Sequence, residues 1–599
     1  MIILGISDSI ESHACIVKDG KLLSFISEER LSRKKADAGY PKKSIEKVLK
    51  ISNIAKSEID FVALAGFDNG TFQSLYKPGA NFSVQDWITQ NNLYWEPKLL
   101  RNKKLNELDD FLIWEKKFKE IKKDPYYEFA KLAKKKNRKF HNEIFNKIRL
   151  ETISKQLKIE KKKIFTFRHE DCHKYYGLFS QISKKNKNLV ITIEGGGDDS
   201  SATISVSKND KIVEKYKTNN AMLGRLYRYI TLLLGMKPGQ HEYKVMGLAP
   251  YGTKYHGQKS LDYFKSFNYI KGIKLIKNKI YKEIYLTSKK KLEGQRFDGI
   301  AWGLQQYTEI FLKKWIINCI KKFKIKDIIL SGGVAQNIKA VKFLAEQKEI
   351  KSIWSGPISG DGSLAIGAAW MASKKFKPKT IVLGLETVYL GSKIEDKDIK
   401  KIIKSKCKKF HISKNPSNKK IAKLISEGHI IARCKGRMEF GQRALGNRSI
   451  LADPRNHYTV EKINSQIKYR DFWMPFTPSI LFEHVNKILI NPKKIYSPYM
   501  TMAFDVKKDF IEKIPAVIHP ADKTTRPQML KKDTNPDYYD LINQFKKITG
   551  IPLLLNTSFN LHGDAIVENA HQAINTFINS DLDALILNNY LISRKKINK

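Results

Sequence analysis

Two segments of the chain share one pattern of apolar and polar positions. Residues 2–26 read as an apolar strand, a polar loop, a second strand that opens with small residues, a KDGK turn and a third strand. Residues 189–215 repeat that order, with KND at the turn. Two such units, about 185 residues apart, indicate a duplicated α/β domain with a cleft between its halves.

A helical pattern fills residues 98–163. Apolar residues recur there at helical spacing among many lysines, as in FLIWEKKFKEI, and this predicts a solvated helical insertion. The segment 374–388 reads as a linker, and a second α/β region follows it. The sequence therefore predicts two α/β domains, over residues 1–380 and 388–599.

The composition is that of a globular protein. The chain has 599 residues, enough for more than one core, and 42% of them are apolar. The start MIILGISDS reads as a buried strand rather than a signal peptide, and no apolar run approaches the roughly 20 residues that span a bilayer. The cysteines have no paired spacing, which favours a reducing compartment. We therefore expect a cytoplasmic protein with no membrane partner.

The formal net charge of +50 raises the question of a nucleic-acid partner. The lysines are spread from end to end, and basic and aromatic residues do not interleave as a stacking groove requires. We therefore expect no nucleic acid, although the charge would help to attract phosphorylated substrates.

One glycine pair lies between an apolar strand and a helix. In IKDIILSGGVAQNIKAV, Gly332 and Gly333 occupy that junction. Backbone N–H groups at such a junction can approach a phosphate or a nucleotide. A tight strand-to-helix turn explains the pair equally well.

The segment FTFRHEDCHKYYGLF contains the spelling H-E-x-x-H. In zinc proteases the two histidines of this motif bind metal and the glutamate acts as general base. Here the motif directly follows the apolar strand KIFTF, so His169 begins the next helix. His169 and His173 lie on one helical face and can share a metal, although surface or capping roles also fit. Protease activity is not expected from this placement.

Three longer strings carry a resemblance to a known family: QHEYKVMGLAPYG (240–252), GRMEFGQRALGNRSILADPR (436–455) and LLLNTSFNLHGDAIVENAHQAINTF (553–577). Together they resemble the carbamoyltransferases of the NodU, CmcH and TobZ type, over nearly the whole chain. The resemblance implies an N-terminal domain of the actin, Hsp70 and sugar-kinase type and a YrdC-like C-terminal domain. The insertion at 98–163 has no counterpart that we can match to the family.

The resemblance also implies an iron site. The two histidine ligands of the family match His169 and His173, and the pattern assigns no role to Glu170. One family aspartate matches Asp361, whereas the other falls on Glu194. Two imidazoles with carboxylates suit Fe(II) or another divalent transition metal, and the longer glutamate bears on geometry and metal preference.

A second departure lies in the first loop. The His-Asp pair of the family falls on Ile10 and Glu11, and His13 is displaced from it. The family histidine is proposed to help activate the acceptor hydroxyl. His13 either takes over that role in a rearranged loop or is a structural residue of the strand pair.

The resemblance implies that the C-terminal domain makes carbamoyl adenylate from carbamoyl phosphate and ATP, the latter with Mg²⁺. Both substrates are polyanions and require fixed cations. The matching positions are Arg443, Arg448, Lys468, Arg470, Arg526, Asn556 and Ser558, of which Lys468 and Arg526 are expected to be catalytic. Asp471 and Thr477 depart from the family residues, and a structural ion-pair network is the alternative for the whole set.

In the N-terminal domain, Lys244, Gly332, Gly333 and Asn337 are expected to contact the adenylate. The implied activity is transfer of the carbamoyl group to a hydroxyl of a sugar or natural product. The alternatives are a catalytically impaired paralogue and an ATP-dependent carbohydrate kinase of the same N-terminal fold. The sequence does not decide between a monomer and a homodimer.

Overall fold

The computed structural model describes residues 1–67, 82–133, 138–278 and 283–595. The chain divides into two compact units, Met1–Glu386 and Thr387–Lys599. This division falls within the segment 374–388 that the sequence marks as a linker. Both units combine helices with mixed β-sheets, in agreement with the predicted α/β class.

Two five-stranded sheets form the framework of the first unit. The first has the order β3-β2-β1-β4-β5 and the second β12-β11-β6-β7-β8. The strands are β1 Ile2–Asp8, β2 Ser12–Lys18, β3 Lys21–Ser27, β4 Phe61–Ala65, β5 Ile164–Phe167, β6 Lys187–Ile193, β7 Ala202–Lys208, β8 Lys211–Thr218, β11 Asp327–Ser331 and β12 Ser352–Trp354. A separate ribbon pairs β9 Asn268–Lys271 with β10 Lys274–Lys277.

The two sheets have the same internal plan. In each, three consecutive strands form an antiparallel meander, and two later strands extend it in parallel from the first strand of the meander. The strand pattern read at 2–26 and 189–215 thus corresponds to two sheets of equivalent order. The carboxyl ends of their parallel strands are where ligands commonly bind in α/β folds.

Helices of the first unit cover these sheets. They are Glu28–Ser32, Lys42–Ser52, Val84–Gln90, Glu96–Leu99, Glu107–Lys117, Glu128–Leu132, Arg138–Leu157, His169–Phe179, Leu223–Leu233, Glu242–Leu248, Lys254–Lys265, Tyr285–Lys291, Phe297–Phe323, Ile338–Ala345 and Leu364–Phe376. The last of these packs against His169–Phe179 so closely that a Cβ at Gly367 would collide with the carbonyl of Cys172. Glycine at 367 therefore lets the histidine-bearing helix lie against its neighbour.

The helical insertion was expected to be solvated, and this expectation is wrong. Its segments are helical, but Phe111, Trp114, Phe129 and Phe145 are buried. They join one apolar cluster with strand residues such as Leu4 of β1. The insertion is part of the core because its aromatic residues face inward, while its lysines take the solvent side.

The second unit is built on an eight-stranded mixed sheet of order β13-β22-β21-β14-β15-β20-β16-β19. Its strands are β13 His411–Lys414, β14 Ile431–Cys434, β15 Arg448–Ala452, β16 Thr477–Leu481, β19 Gln528–Leu530, β20 Leu553–Ser558, β21 Ala584–Leu587 and β22 Tyr590–Ser593. A second ribbon joins β17 Phe504–Asp505 to β18 Thr524–Thr525. The helices are Asp396–Lys406, Asn418–Ser426, Tyr458–Ile463, Val485–Ile488, Lys508–Ile511, Pro536–Thr549 and Ala570–Ile578.

In the part of the chain that the structure describes, no helix is both long and apolar enough to cross a membrane. The five cysteines are buried and free.

Candidate functional site

Two histidines converge at the end of the first sheet. Helix His169–Phe179 begins two residues after β5 ends, so its first turn lies at the carboxyl edge of the sheet. His169 and His173 are one turn apart and both are buried. Their Nε2 atoms lie only 3.2 Å apart. Two ring nitrogens that face each other at this distance cannot both carry a proton without repulsion.

Two carboxylates from the second sheet complete the cluster. Glu194 directly follows β6, and Asp361 opens a short 3₁₀ turn after β12. Oε1 of Glu194 lies 2.5 Å from Nε2 of His173 and 3.2 Å from Nε2 of His169. Oδ1 of Asp361 lies 3.7 Å from both nitrogens. The four donors of the predicted metal site are therefore brought together.

The cluster fits a divalent transition ion. All four ligand atoms lie within 4.8 Å of one another. Nitrogen ligands bound at about 2.0–2.1 Å to one ion are separated by roughly 2.8–3.4 Å at octahedral to tetrahedral angles. The separation of the two Nε2 atoms falls in that interval. Two neutral imidazoles and two carboxylates would also neutralise the charge of the ion.

The pKa shifts of the cluster residues, in the absence of a metal, show that the cluster favours a cation. Burial alone lowers the pKa of His169, but the Glu194 and Asp361 carboxylates outweigh it and raise the pKa to about 10. Burial alone raises the pKa of Glu194, and the two imidazoles reverse this and lower it. Positive charge is thus stabilised between the four side chains.

Further residues hold these donors in place. Ser363 Oγ lies 3.0 Å from Nδ1 of His173, which leaves Nε2 free to face the cluster. The backbone N–H of His169 donates to Asp198 at 2.7 Å. Neither Ser363 nor Asp198 was predicted from sequence. The only sequence signals are their positions, two residues after Asp361 and four after Glu194.

The glycine pair serves this cluster from the second sheet. The N–H of Gly332 donates to the carbonyl of Ser359 at 2.7 Å. A Cβ at position 332 would lie 2.7 Å from Cγ of Glu194, so Gly332 packs on a donor residue and its N–H is occupied. The contact of Gly332 with an adenylate, expected from the sequence, stays a prediction. Gly333 is exposed, and a Cβ there would meet nothing within 4 Å.

Glu170 has a structural role that differs from that of a protease glutamate. Its Oε1 accepts the N–H of Asp199 at 3.1 Å, the N–H of Ser200 at 2.8 Å and the Ser200 hydroxyl at 3.1 Å. The carboxylate therefore secures the loop that follows Glu194. The geometry agrees with the expectation that the protease spelling is coincidental.

His13 lies beside the cluster. It is on β2, opposite Ser7 and Ser27, and it is buried. Its Nδ1 lies 2.9 Å from the Ser27 hydroxyl, whereas its Nε2 has no hydrogen-bond partner among the described residues. This Nε2 is 3.8 Å from Oε2 of Glu11 and would lie 3.4 Å from a Cβ at Gly362, next to Asp361.

Two further residues of the first unit, Asn337 and Lys244, were expected to contact the adenylate. The Asn337 side chain caps helix Ile338–Ala345 and donates to Gln305 at 2.9 Å, and its contact with an adenylate stays a prediction. Lys244 is half-buried on helix Glu242–Leu248. On the same helix, burial raises the pKa of Glu242, although the N–H of Gly239 opposes the effect.

In the second unit, Lys468 is directed at the end of β20. Its ammonium donates to the carbonyl of Ser558 at 2.5 Å, to the Ser558 hydroxyl at 3.3 Å and to Oδ1 of Asn560 at 2.8 Å. Arg470 follows two residues later and donates to the Thr557 hydroxyl at 3.1 Å. The structure thus places two predicted cations, Lys468 and Arg470, beside the predicted Ser558.

Asn556 lies two residues earlier on the same strand and is buried. Its amide donates to the carbonyl of Ala444 at 3.2 Å and to the Ser479 hydroxyl at 2.9 Å. Its Oδ1 has no partner among the described residues and can accept a ligand donor. Arg443 and Arg526 are half-buried.

Arg448 is directed at the main chain of the second unit. Its side chain has no exposed surface, and its guanidinium donates to main-chain carbonyls. These belong to Ser392, Lys435, Gly436, Asn447 and Glu568. Arg448 therefore holds the loop 435–447 together, and its contact with a phosphate stays a prediction. Glu439, which sequence reasoning missed, has the complementary role and accepts the N–H groups of Leu445, Asn447 and Arg448.

Comparison with known families decides what these two sites belong to. The family model described as carbamoyltransferase N-terminus matches residues 2–370, and the one described as carbamoyltransferase C-terminus matches residues 422–594. The chain belongs to the carbamoyltransferase family. It is therefore a carbamoyltransferase of the NodU type, as the sequence resemblance indicated. A kinase with the N-terminal fold alone would not account for the second match.

Relatives of this carbamoyltransferase occur in archaea and bacteria. An uncharacterized protein of Methanocaldococcus jannaschii is 33% identical, over 99% of this chain and 100% of its own length. Nodulation protein NolO of Bradyrhizobium diazoefficiens is 31% identical over 69% of this chain and 77% of its own. Nodulation protein NolNO of Sinorhizobium fredii is 27% identical over 97% of this chain and 78% of its own.

Solved structures give weaker matches to this carbamoyltransferase. Component A of (R)-2-hydroxyglutaryl-CoA dehydratase from Acidaminococcus fermentans matches with a TM-score of 0.31 and 16% identity, over 63% of this chain and 98% of its own. Full-length HypF in its phosphate- and nucleotide-bound form matches with a TM-score of 0.33 and 10% identity, over 63% and 56%. These scores are too low to support a conclusion about fold.

Proposed function

We propose that this enzyme makes carbamoyl adenylate in its second unit and transfers the carbamoyl group to an acceptor hydroxyl at the metal cluster of its first unit. The observation that carries the proposal is the convergence of His169, His173, Glu194 and Asp361 within 4.8 Å. This donor set lies in the part of the chain that matches the carbamoyltransferase N-terminus.

The fold names implied by resemblance belong to the same proposal. The two sheets of equivalent strand order support an actin-, Hsp70- and sugar-kinase-like first unit, with the ligand site at the strand ends. The second unit, built on the mixed eight-stranded sheet, is proposed to be YrdC-like.

The first half-reaction uses the cations at the end of β20. Carbamoyl phosphate is hydrolysed to carbamate and phosphate, and a carbamate oxygen then attacks the α-phosphorus of ATP, so that pyrophosphate leaves and carbamoyl adenylate forms. Lys468, Arg470 and Arg526 supply the positive charge that both polyanions need. Oδ1 of Asn556, which has no partner among the described residues, offers an acceptor to the carbamoyl NH2 group. The Ser558 hydroxyl donates to Oδ1 of Asn560 at 2.6 Å and would turn from it to the carbamoyl group.

The second half-reaction joins the acceptor to the carbamoyl carbon. The acceptor oxygen attacks that carbon, the bond from the carbon to the phosphate oxygen breaks, and AMP departs with the bonding electrons. The acceptor proton goes to a nearby base, for which we propose Nε2 of His13, an atom with no hydrogen-bond partner among the described residues. The Glu11 carboxylate, 3.8 Å from the same nitrogen, would stabilise the imidazolium that forms. A divalent ion, Fe(II) by family resemblance, would supply Lewis-acid stabilisation of the developing negative charge when bound.

The experiment measures pyrophosphate release from ATP, with and without carbamoyl phosphate. The proposal requires release that depends on carbamoyl phosphate, whereas a kinase would make ADP and an impaired paralogue would make neither product. Mass spectrometry with Fe(II) and a panel of sugar nucleotides and aminoglycosides then identifies the acceptor by its gain of one carbamoyl group. No carbamoylated product from any hydroxyl acceptor, with pyrophosphate release intact, would reject the second half of the proposal.

A further inference from the structure

A buried ion pair joins the helical insertion to the end of β1. Arg149, on helix Arg138–Leu157, donates through Nε to Asp8 Oδ2 at 2.8 Å and through Nη2 to Asp8 Oδ1 at 2.7 Å. Neither side chain has any exposed surface. Tyr126, also of the insertion and fully buried, donates its hydroxyl to Asp8 Oδ2 at 2.8 Å. Bidentate pairing of this kind fixes both position and orientation.

The same guanidinium reaches the end of β4. Arg149 donates to the carbonyl of Gly66 at 3.0 Å and to that of Ala65 at 3.3 Å. It also donates to Oδ1 of Asn146, whose own amide donates to the carbonyl of Phe67 at 3.3 Å. One buried side chain therefore holds the carboxyl ends of two neighbouring parallel strands.

From this point two short hydrogen-bonded routes lead to His169. The N–H of Gly66 donates to the carbonyl of Phe167 at 2.8 Å, two residues before the histidine. The N–H of Phe67 donates to Asp198 at 3.0 Å, and the same carboxylate accepts the N–H of His169 at 2.7 Å. On the other side, Asp8 leads directly into the loop that carries Glu11, and β2 with His13 follows that loop.

We propose that Arg149 is a positioning residue of the metal centre, through which the helical insertion sets the placement of His169 and of the first loop. The inference rests on the proposed metal-dependent transfer. It gives the buried pair a role beyond stability, because two apolar side chains of similar volume in place of Arg149 and Asp8 would fill the same space. Its guanidinium meets the ends of β1 and β4 at once, and the first loop follows the first of these ends.

The test is Arg149→Lys, because lysine keeps the charge for Asp8 but cannot donate to the two strand carbonyls and the carboxylate together. Co(II) is titrated into purified metal-free protein, and its visible absorption spectrum reports ligand geometry. We expect about a 10-fold loss of Co(II) affinity and an altered spectrum, at the lower end of what the loss of ligand-supporting groups costs. Pyrophosphate release in the second unit should be retained.

Arg101→Lys is the matched control, because Arg101 lies near the start of the same insertion but is exposed and forms a surface ion pair with Glu96. It should leave affinity and spectrum unchanged. A wild-type spectrum and affinity in Arg149→Lys would overturn the inference, as would a parallel loss of Co(II) binding, pyrophosphate release and thermal stability, which indicates a merely structural residue.

If Arg149→Lys does not fold, Tyr126→Phe removes a single hydroxyl from the same carboxylate. A smaller change of the Co(II) spectrum in that variant supports the inference, and an unchanged spectrum overturns it. The Co(II) titration needs no substrate, so a failure of the proposed function appears separately, as missing pyrophosphate release by the wild type. Absence of Co(II) binding by the wild type would overturn the inference itself.

Discussion

The main chain of Gly332 lies against the side chain of Glu194. A Cβ at position 332 would be 2.7 Å from Cγ of Glu194 and 2.5 Å from the carbonyl oxygen of Ile193. The φ angle of Gly332 is +92°, a conformation that residues with a side chain rarely adopt. The residue that directly follows β11 thus helps to set the position of the metal donor Glu194.

Gly332→Ala should therefore weaken metal binding. The added methyl group must displace Glu194 or strain the backbone, at a cost of about 1–3 kcal/mol in that conformation. We expect Co(II) affinity to fall about 10- to 100-fold. Gly333→Ala is the matched control, since a Cβ there meets nothing within 4 Å. Equal Co(II) affinities for the two variants would contradict this account of Gly332.

Glu194→Gln tests the glutamate as a ligand. Loss of its charge beside the two imidazoles should lower metal affinity about 10- to 100-fold or more. Glu194→Asp, the residue usual in the family, should retain partial binding, because the backbone here fits the longer side chain. Metal analysis of anaerobically purified protein measures both, and stoichiometric metal that persists in Glu194→Gln would remove Glu194 from the site.

The two half-reactions should separate by unit. Arg526→Ala should reduce carbamoyl-phosphate-dependent pyrophosphate release about 100- to 1,000-fold, because it removes a cation from the site of developing charge. His169→Ala should spare that release and stop transfer. If His169→Ala, shown to be folded by circular dichroism, blocked pyrophosphate release as severely, the assignment of sites to units would be wrong.

Glu170→Gln should preserve metal binding within about twofold. The amide keeps a carbonyl oxygen for the three donors of Asp199 and Ser200, and Oε2 has no hydrogen-bond partner among the described residues. Glu170→Ala, by contrast, should destabilise the fold by about 1–3 kcal/mol, because buried donors lose their acceptor. Denaturant unfolding and metal titration check both variants. A metal-dependent peptidase activity abolished by Glu170→Gln would restore the protease interpretation.

Asp124→Asn should stabilise the protein at neutral and alkaline pH. Burial raises the pKa of Asp124 to about 6, and repulsion from Asp37 and Asp8 adds to this. The folded state therefore binds the proton more tightly than the unfolded state, so stability falls as pH rises from about 4 to 6 and stays reduced above that. The amide still accepts the N–H of Tyr126. We expect about 1–2 kcal/mol of stabilisation at pH 8 and none at pH 4. Equal unfolding free energies at pH 8 would refute it.

The sequence predicts best what depends on spacing. The repeated order of apolar strands, loop and turn identified both meanders, and the helical spacing of His169 and His173, read with the family resemblance, found the donors. It fails where a neighbour distant in sequence decides the role. Nothing local distinguishes an arginine that meets a phosphate from Arg448, whose acceptors are main-chain carbonyls.

The prediction of a solvated insertion was wrong for a related reason. Its lysines dominate the composition, while Phe111 and Trp114 recur at helical spacing with partners on β1 that no local pattern reveals. Arg149 likewise reads as one basic residue among many until its partner Asp8, 141 positions away, is known.

The donors of the metal cluster are divided by kind between the two sheets: the imidazoles follow the first, and the carboxylates follow the second. Neither copy of the strand order holds a complete set. An ion bound there would link the two sheets, and its binding free energy would stabilise their association. Separation of the two sheets would then require release of the ion.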